Sequence, residues 1–204
     1  KVATELSTSR QKSAKKMDKA VANELPPLKL EKATFHTVVE SLAENAWTRD
    51  GMDRVAFEVA TNPGQPAGPL TRVASGGELS RFLLSLKVVL ASTRIAPTLV
   101  FDEVDSGIGG ATADAVGERL ARLSEGTQVL VITHSPQVAA RGDHHWRVAK
   151  ATKGKQTITE VTQLSADERR EELARMLAGA TVTDQARAAA DSLMAGQVSR
   201  RENA

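Results

Sequence analysis

The sequence predicts an α/β layered domain, and three observations lead there. Two short continuous apolar runs, Thr98-Leu99-Val100-Phe101 and Val129-Leu130-Val131-Ile132, are too brief for helices and have the composition of buried parallel strands. Helix-periodic segments alternate with them, most clearly over residues 79–94 and 111–123. Each apolar run also ends abruptly in polar residues, Asp102-Glu103 and Thr133-His134. In open parallel sheets, ligands bind beyond the carboxyl ends of the strands.

A chain of 204 residues can bury one sizeable core with a small appendage. Apolar residues make up 41% but aromatics only 3%, so Ala, Val and Leu must build that core. There is no cysteine, which excludes disulfide scaffolds and thiolate metal sites and fits a reducing compartment. No run is long enough to span a bilayer and the N-terminus lacks the apolar centre of a signal peptide. The expectation is a cytoplasmic protein without a membrane partner. Net charge is +2, unevenly placed: residues 1–30 hold seven basic residues against three acids, leaving 20 against 22 for the remainder. That segment is either a solvated helix face or a nucleic-acid contact.

In chain order, residues 2–25 read as a helix with a thin apolar stripe (Val2, Leu6, Met17, Val21, Leu25), which suits a coiled-coil seam. Pro26-Pro27 ends it. Starting in mid-helix without Met, the chain reads as a fragment. Residues 33–39 and 54–60 read as an antiparallel pair with one wet face, and 61–70, with three Pro and two Gly, as a loop. The helix over 79–94 is apolar nearly all round, hence largely buried. Beyond the second apolar run come a short helix near 137–140, strands at 145–149 and 157–161, and helices at 166–177 and 184–194.

The stretch Ser75-Gly76-Gly77-Glu78 sits directly ahead of the 79–94 helix, with Ser75 near its N-cap and Glu78 at the capping-box position. Two glycines there let backbone N–H groups approach an anion at the positive end of the helix dipole. A plain glycine-rich cap fits the same residues. Asp102 and Glu103 are costly to leave unpaired after an apolar strand. One can hold Mg²⁺ through its water shell while the other orients or deprotonates a water; pairing with nearby Arg or Lys is the structural alternative. His134, beside Ser135-Pro136 at a strand end, leans towards function over packing. Ser75 as a hydrolase nucleophile fails because Val73 stands where the nucleophile elbow needs Gly. His144-His145 reads as a surface pair, and Trp47 and Trp146 as packing residues.

Four motifs follow in order. Residues 75–81 resemble the ABC signature, and 98–103 are similar to a Walker B strand with its catalytic Glu. Asp105-Ser106-Gly107-Ile108-Gly109-Gly110 resembles the D-loop, and Thr133-His134 the switch histidine. The wording of 62–64, 73–81, 101–110, 133–140 and 172–179 resembles the SMC-like bacterial DNA-repair ATPases, whose ABC-type head is split by a coiled-coil hairpin. The resemblance covers roughly residues 1–180.

That resemblance implies the C-terminal lobe of an ABC/SMC-type P-loop NTPase head. Residues 1–27 would be the end of a coiled-coil strand, and 28–204 half of the head, with a mostly parallel sheet flanked by helices. It implies ATP and Mg²⁺ as ligands, with Asp102 supporting the metal, Glu103 as general base and His134 sensing the γ-phosphate. Ser75, Gly76, Gly77 and Glu78 would reach nucleotide on an opposite head, and Asp105 would couple the two sites of a homodimer. Partners would be the N-terminal half of the head, a second head and DNA, in the nucleoid. A G-x-x-x-x-G-K-[ST] loop is absent; the Gly154-Lys155 pair precedes Gln156 and has Ala149 where the first Gly belongs. This chain alone is therefore expected to be inactive. Another ABC-type ATPase, such as an SMC relative or transporter subunit, and a non-hydrolysing DNA-binding scaffold are the competing readings.

Overall fold

The computed structural model describes residues 1–70, 76–91, 97–153, 156–179 and 181–201. It opens with helix α1, Val2–Glu24, stopped by the Pro26–Leu28 turn, after which Lys29 adopts a left-handed conformation. The expected stripe is only half used. Met17, Val21 and Leu25 enter the core, whereas Val2 and Leu6 are exposed and Ser7 and Ala14 are the buried residues of the first turns. Polar contacts hold the helix at its start and further along. Ser7 Oγ donates to Asp53 Oδ1 at 2.8 Å, Arg10 Nη1 reaches Asp53 Oδ2 at 3.2 Å, and Asp18 Oδ1 accepts from the Thr37 backbone N–H at 2.8 Å.

Strands β1 (Thr34–Ser41) and β2 (Asp53–Ala60) pair antiparallel over their full length, Thr34 opposite Ala60 and Ser41 opposite Asp53. The stretch 61–70 is not all loop: β3, Gly68–Pro69, adds two residues to the β2 edge. Helix α2, Gly76–Val89, buries Phe82, Leu84 and Leu86; the expected extension to 94 runs into residues outside the described set.

Next comes a parallel unit: β4 (Thr98–Asp102), helix α3 (Gly110–Leu123) and β5 (Gln128–Ile132). Helix α3 turns Ala113, Val116, Leu120 and Leu123 into the core, the spacing expected of one helix face. Gly117 lets the short helix α4, Pro136–Ala140, lie directly on α3, since a Cβ there would stand 3.3 Å from the Gln137 carbonyl oxygen. Strands β6 (Trp146–Lys153) and β7 (Gln156–Gln163) form an antiparallel ribbon, with Val148 and Val161 exposed opposite one another. Helix α5 (Ala166–Ala178) begins in a Ser165/Glu168 capping box. It packs with α6 (Asp184–Arg201) and α4 around Ala140, Leu173, Ala174, Ala186 and Ala190.

Two expectations need correction. The sheet is not mostly parallel among the described residues: only β4 and β5 pair that way, while β1–β2–β3 and β6–β7 are antiparallel. The strands that pair antiparallel follow one another without an intervening α-helix, whereas α3 lies between β4 and β5 and carries their parallel crossover. Nor are β4 and β5 buried on both faces. Phe101, Val129 and Val131 pack on the core, but Val100, Leu130 and Ile132 on the opposite face are 62%, 42% and 53% exposed.

Candidate functional site

The site is built where β4 and β5 end together. Their register puts Asp102 opposite Ile132, and the Glu103 backbone N–H donates to the Ile132 carbonyl at 3.0 Å, one rung beyond the strands. Glu103 itself has φ of 49°, a left-handed conformation unusual for a residue with a side chain. A tight turn follows, with Ser106 N–H on the Glu103 carbonyl at 2.9 Å. Asp102 and Glu103 are both exposed, and neither forms an ion pair with an Arg or Lys among the described residues. Their strand end can present carboxylates to water or a ligand. Strained backbone of this kind concentrates at functional sites.

Asp105 behaves differently. It is only 1% exposed, and its Oδ2 accepts from the Thr133 hydroxyl at 2.5 Å. Its Oδ1 has no hydrogen-bond partner among the described residues. Within this chain the side chain turns inward to Thr133. The reason lies in its neighbour: fully buried Val104 pins the loop to the core and draws the next residue in with it. Thr133 Oγ1 also accepts the Ser135 backbone N–H at 2.9 Å, so the hydroxyl brackets His134, whose ring is exposed.

Helix α2 brings its start to the same loop. A Cβ on Gly77 would lie 3.1 Å from the Ser106 carbonyl oxygen and 3.2 Å from Arg81 Nη1, closer than side chains ordinarily approach. Glycine here allows the contact between the helix start and the D-loop-like turn. A Cβ on Gly76 would meet nothing within 4 Å among the described residues. Ser75 lies outside the described residues. Glu78 is half-buried in the first turn, and its charge favours the cationic form of Arg81, whose pKa burial nevertheless pushes down.

Sequence reasoning missed Thr133 as the partner of Asp105, because nothing in the spacing of residues 105 and 133 announces a contact across two loops. His145 is not a simple surface residue: it is half-buried, and Nδ1 has no partner among the described residues. Burial, seconded by Arg169, lowers its pKa, and Glu172 opposes them. His144 stacks at a tilt on Trp146, 5.9 Å between centroids, and both Trp47 and Trp146 are half-exposed, not core residues. A shallow cleft lined by Arg147, Asp167, Glu168, Glu171, Glu172 and Arg175 shares no residue with the strand-end site. Among the described residues no group of three or more His, Asp or Glu could hold a metal, and no helix is long and apolar enough to cross a membrane.

The fold defines the class. The Smc head domain with coiled coil and joint from Pyrococcus yayanosii matches with a TM-score of 0.57 at 19% identity, over 81% of this chain and 29% of that one. The Smc head with an extended coiled coil from Pyrococcus furiosus matches at 0.54 and 18% identity, over 83% of this chain and 39% of that one. The chain thus has the fold of part of an SMC head. In sequence it is 44% identical over 194 residues to the DNA repair protein RecN of Rickettsia bellii, covering 95% of this chain and 35% of that protein. With RecN of Vibrio cholerae it is 45% identical over 192 residues, 94% of this chain and 34% of that protein. The chain is a homologue of a segment of these RecN proteins and spans about a third of their length. No family model matches it.

Proposed function

We propose that the chain is the C-terminal part of a RecN-type, SMC-like ATPase that hydrolyses ATP when two heads dimerise and acts on DNA in double-strand break repair and recombination. What supports this most is the strand-end register, which sets Asp102-Glu103 beside Thr133-His134 with the glycine start of α2 against the adjoining loop. In this reading Glu103 takes the proton of the attacking water, and His134 contacts the γ-phosphate. Ser75, Gly76, Gly77 and Glu78 reach the nucleotide of the opposite head. Phosphoryl transfer needs chiefly placed charge and an oriented water, which a site completed only on dimerisation supplies when both halves meet.

Mg²⁺ fits the residues present: it is held through one or two carboxylates plus phosphate oxygens and water, and Asp102 offers one exposed carboxylate. Bound there it would neutralise charge developing on the phosphates. The uncovered face of Val100, Leu130 and Ile132 suits the N-terminal half of the head, which would bring the phosphate-binding loop. The exposed Lys12, Lys15, Lys16 and Lys19 on α1 suit DNA phosphates, and a DNA-repair role implies a place in the nucleoid.

Glu103→Gln in the full-length protein tests the reading. ATP and the head dimer should be trapped while turnover falls by roughly 10²- to 10⁴-fold. Wild-type turnover in that variant rejects the general-base role.

A further inference from the structure

We propose that Asp105 is a positioning residue for His134, acting through Thr133, so that the loop carrying the general base and the loop carrying the phosphate sensor move as one unit. The proposal rests on the ATPase reading above, but its geometry stands on this chain alone.

The parallel ladder of β4 and β5 ends at Asp102 opposite Ile132, and the Glu103 N–H to Ile132 carbonyl bond adds one rung. Past that point backbone pairing stops, and the Asp105 side chain provides the next tie by accepting from Thr133 Oγ1. Thr133 Oγ1 in turn accepts from the Ser135 backbone N–H at 2.9 Å. One hydroxyl therefore fixes the residues on both sides of His134. The His134 ring is exposed, so its position is set by the backbone that carries it.

A carboxylate buried to 1% is costly unless it is paired, and here one oxygen has a single hydroxyl partner while the other has none among the described residues. Packing alone does not explain an acid at this position, because an apolar residue would fill the same space without that cost. What the acid adds is a direction: it pulls the Thr133 turn towards the loop that starts at Glu103. That loop is compact, with Ser106 N–H on the Glu103 carbonyl and Ile108 N–H on the Asp105 carbonyl at 3.3 Å. A shift of Glu103 is therefore passed to Asp105, then to Thr133, and so to His134.

Thr133→Val keeps the shape of the side chain and removes the hydroxyl. In the full-length protein it should lower kcat by about ten- to a hundredfold with the KM for ATP nearly unchanged, as misplacement of a reacting group does. Thr133→Ser, which restores the hydroxyl, should return kcat to within about twofold of wild type. Asp105→Ala combined with Thr133→Val should be no worse than the poorer single variant. Thr133→Val carries the test even if Asp105→Ala does not fold. A second readout needs no hydrolysis: in protein with labelled histidine, the His134 ring signal should shift in Thr133→Val and return in Thr133→Ser. Unchanged kcat in Thr133→Val, a KM rise that matches the kcat loss, additive double-variant losses or an unmoved His134 signal each overturn the proposal. Should the wild-type protein hydrolyse no ATP, the ATPase reading fails, and the His134 signal still decides whether the tether exists.

Discussion

Arg119 of α3 and Glu24 of α1 meet at 2.9 Å, with side chains only 9% and 17% exposed. Arg122 adds a longer contact to the same carboxylate at 3.4 Å. The pair joins the end of the N-terminal helix to the helix that begins directly after the Asp105–Gly109 loop. Removing Glu24 takes the closest carboxylate from the nearly buried Arg119 guanidinium and leaves it the Ala115 carbonyl at 3.2 Å and Glu118 at 3.5 Å. Glu24→Ala should destabilise the protein by about 1–3 kcal/mol, read from the denaturant midpoint. Replacing both partners by apolar residues of similar size should recover much of the loss. An unchanged midpoint in Glu24→Ala would mean that the pair contributes nothing.

The α1 lysines make a separate prediction. If Lys12, Lys15, Lys16 and Lys19 sit on phosphates, replacing them with Gln weakens DNA binding uniformly across sequences. It also flattens the slope of log affinity against log salt by about 0.9 for each phosphate that is no longer neutralised. A salt slope equal to wild type would return these residues to an ordinary solvated helix face.

Acid should destabilise the C-terminal layer in two stages. The folded-state pKa of His145 lies below the ordinary 6.5, chiefly through burial. The unfolded chain therefore takes up that proton first, and stability is lost as pH falls below 6.5. Glu172 is held below the ordinary 4.5, chiefly by its hydrogen bonds from Arg175, so its contribution is present above 4.5 and is lost as pH falls further. His145→Gln should remove the upper stage and Glu172→Gln should shrink the lower one, which Glu168, Glu171 and Asp191 share, in denaturation midpoints followed from neutral pH into the acid range. A single stage that both variants leave intact would contradict the assignment.

Much of the strand-end site was legible because its logic is local. An apolar run followed by two acids and a second run followed by Thr-His each announce a strand end, and parallel pairing through α3 puts the two ends together. What could not be read was long-range. Asp105 looks like its exposed neighbours in sequence, and its burial follows from Val104 entering the core and from a threonine 28 residues away. The apolar runs were equally misleading about burial: Val100 and Ile132 have the composition of core residues, yet both are exposed. The helix stripe erred in the same way, since Ser7 and Arg10 reach Asp53 through polar groups that no hydrophobic periodicity reports.

Helix α1 is keyed to the lobe at three stations: Asp53 near its start, the Thr37 backbone in the middle and Arg119 at its end. Successive residues of a helix step by about 100° around its axis, so a turn of even one residue would break all three together. The helix is therefore locked in one rotational setting against β1, β2 and α3.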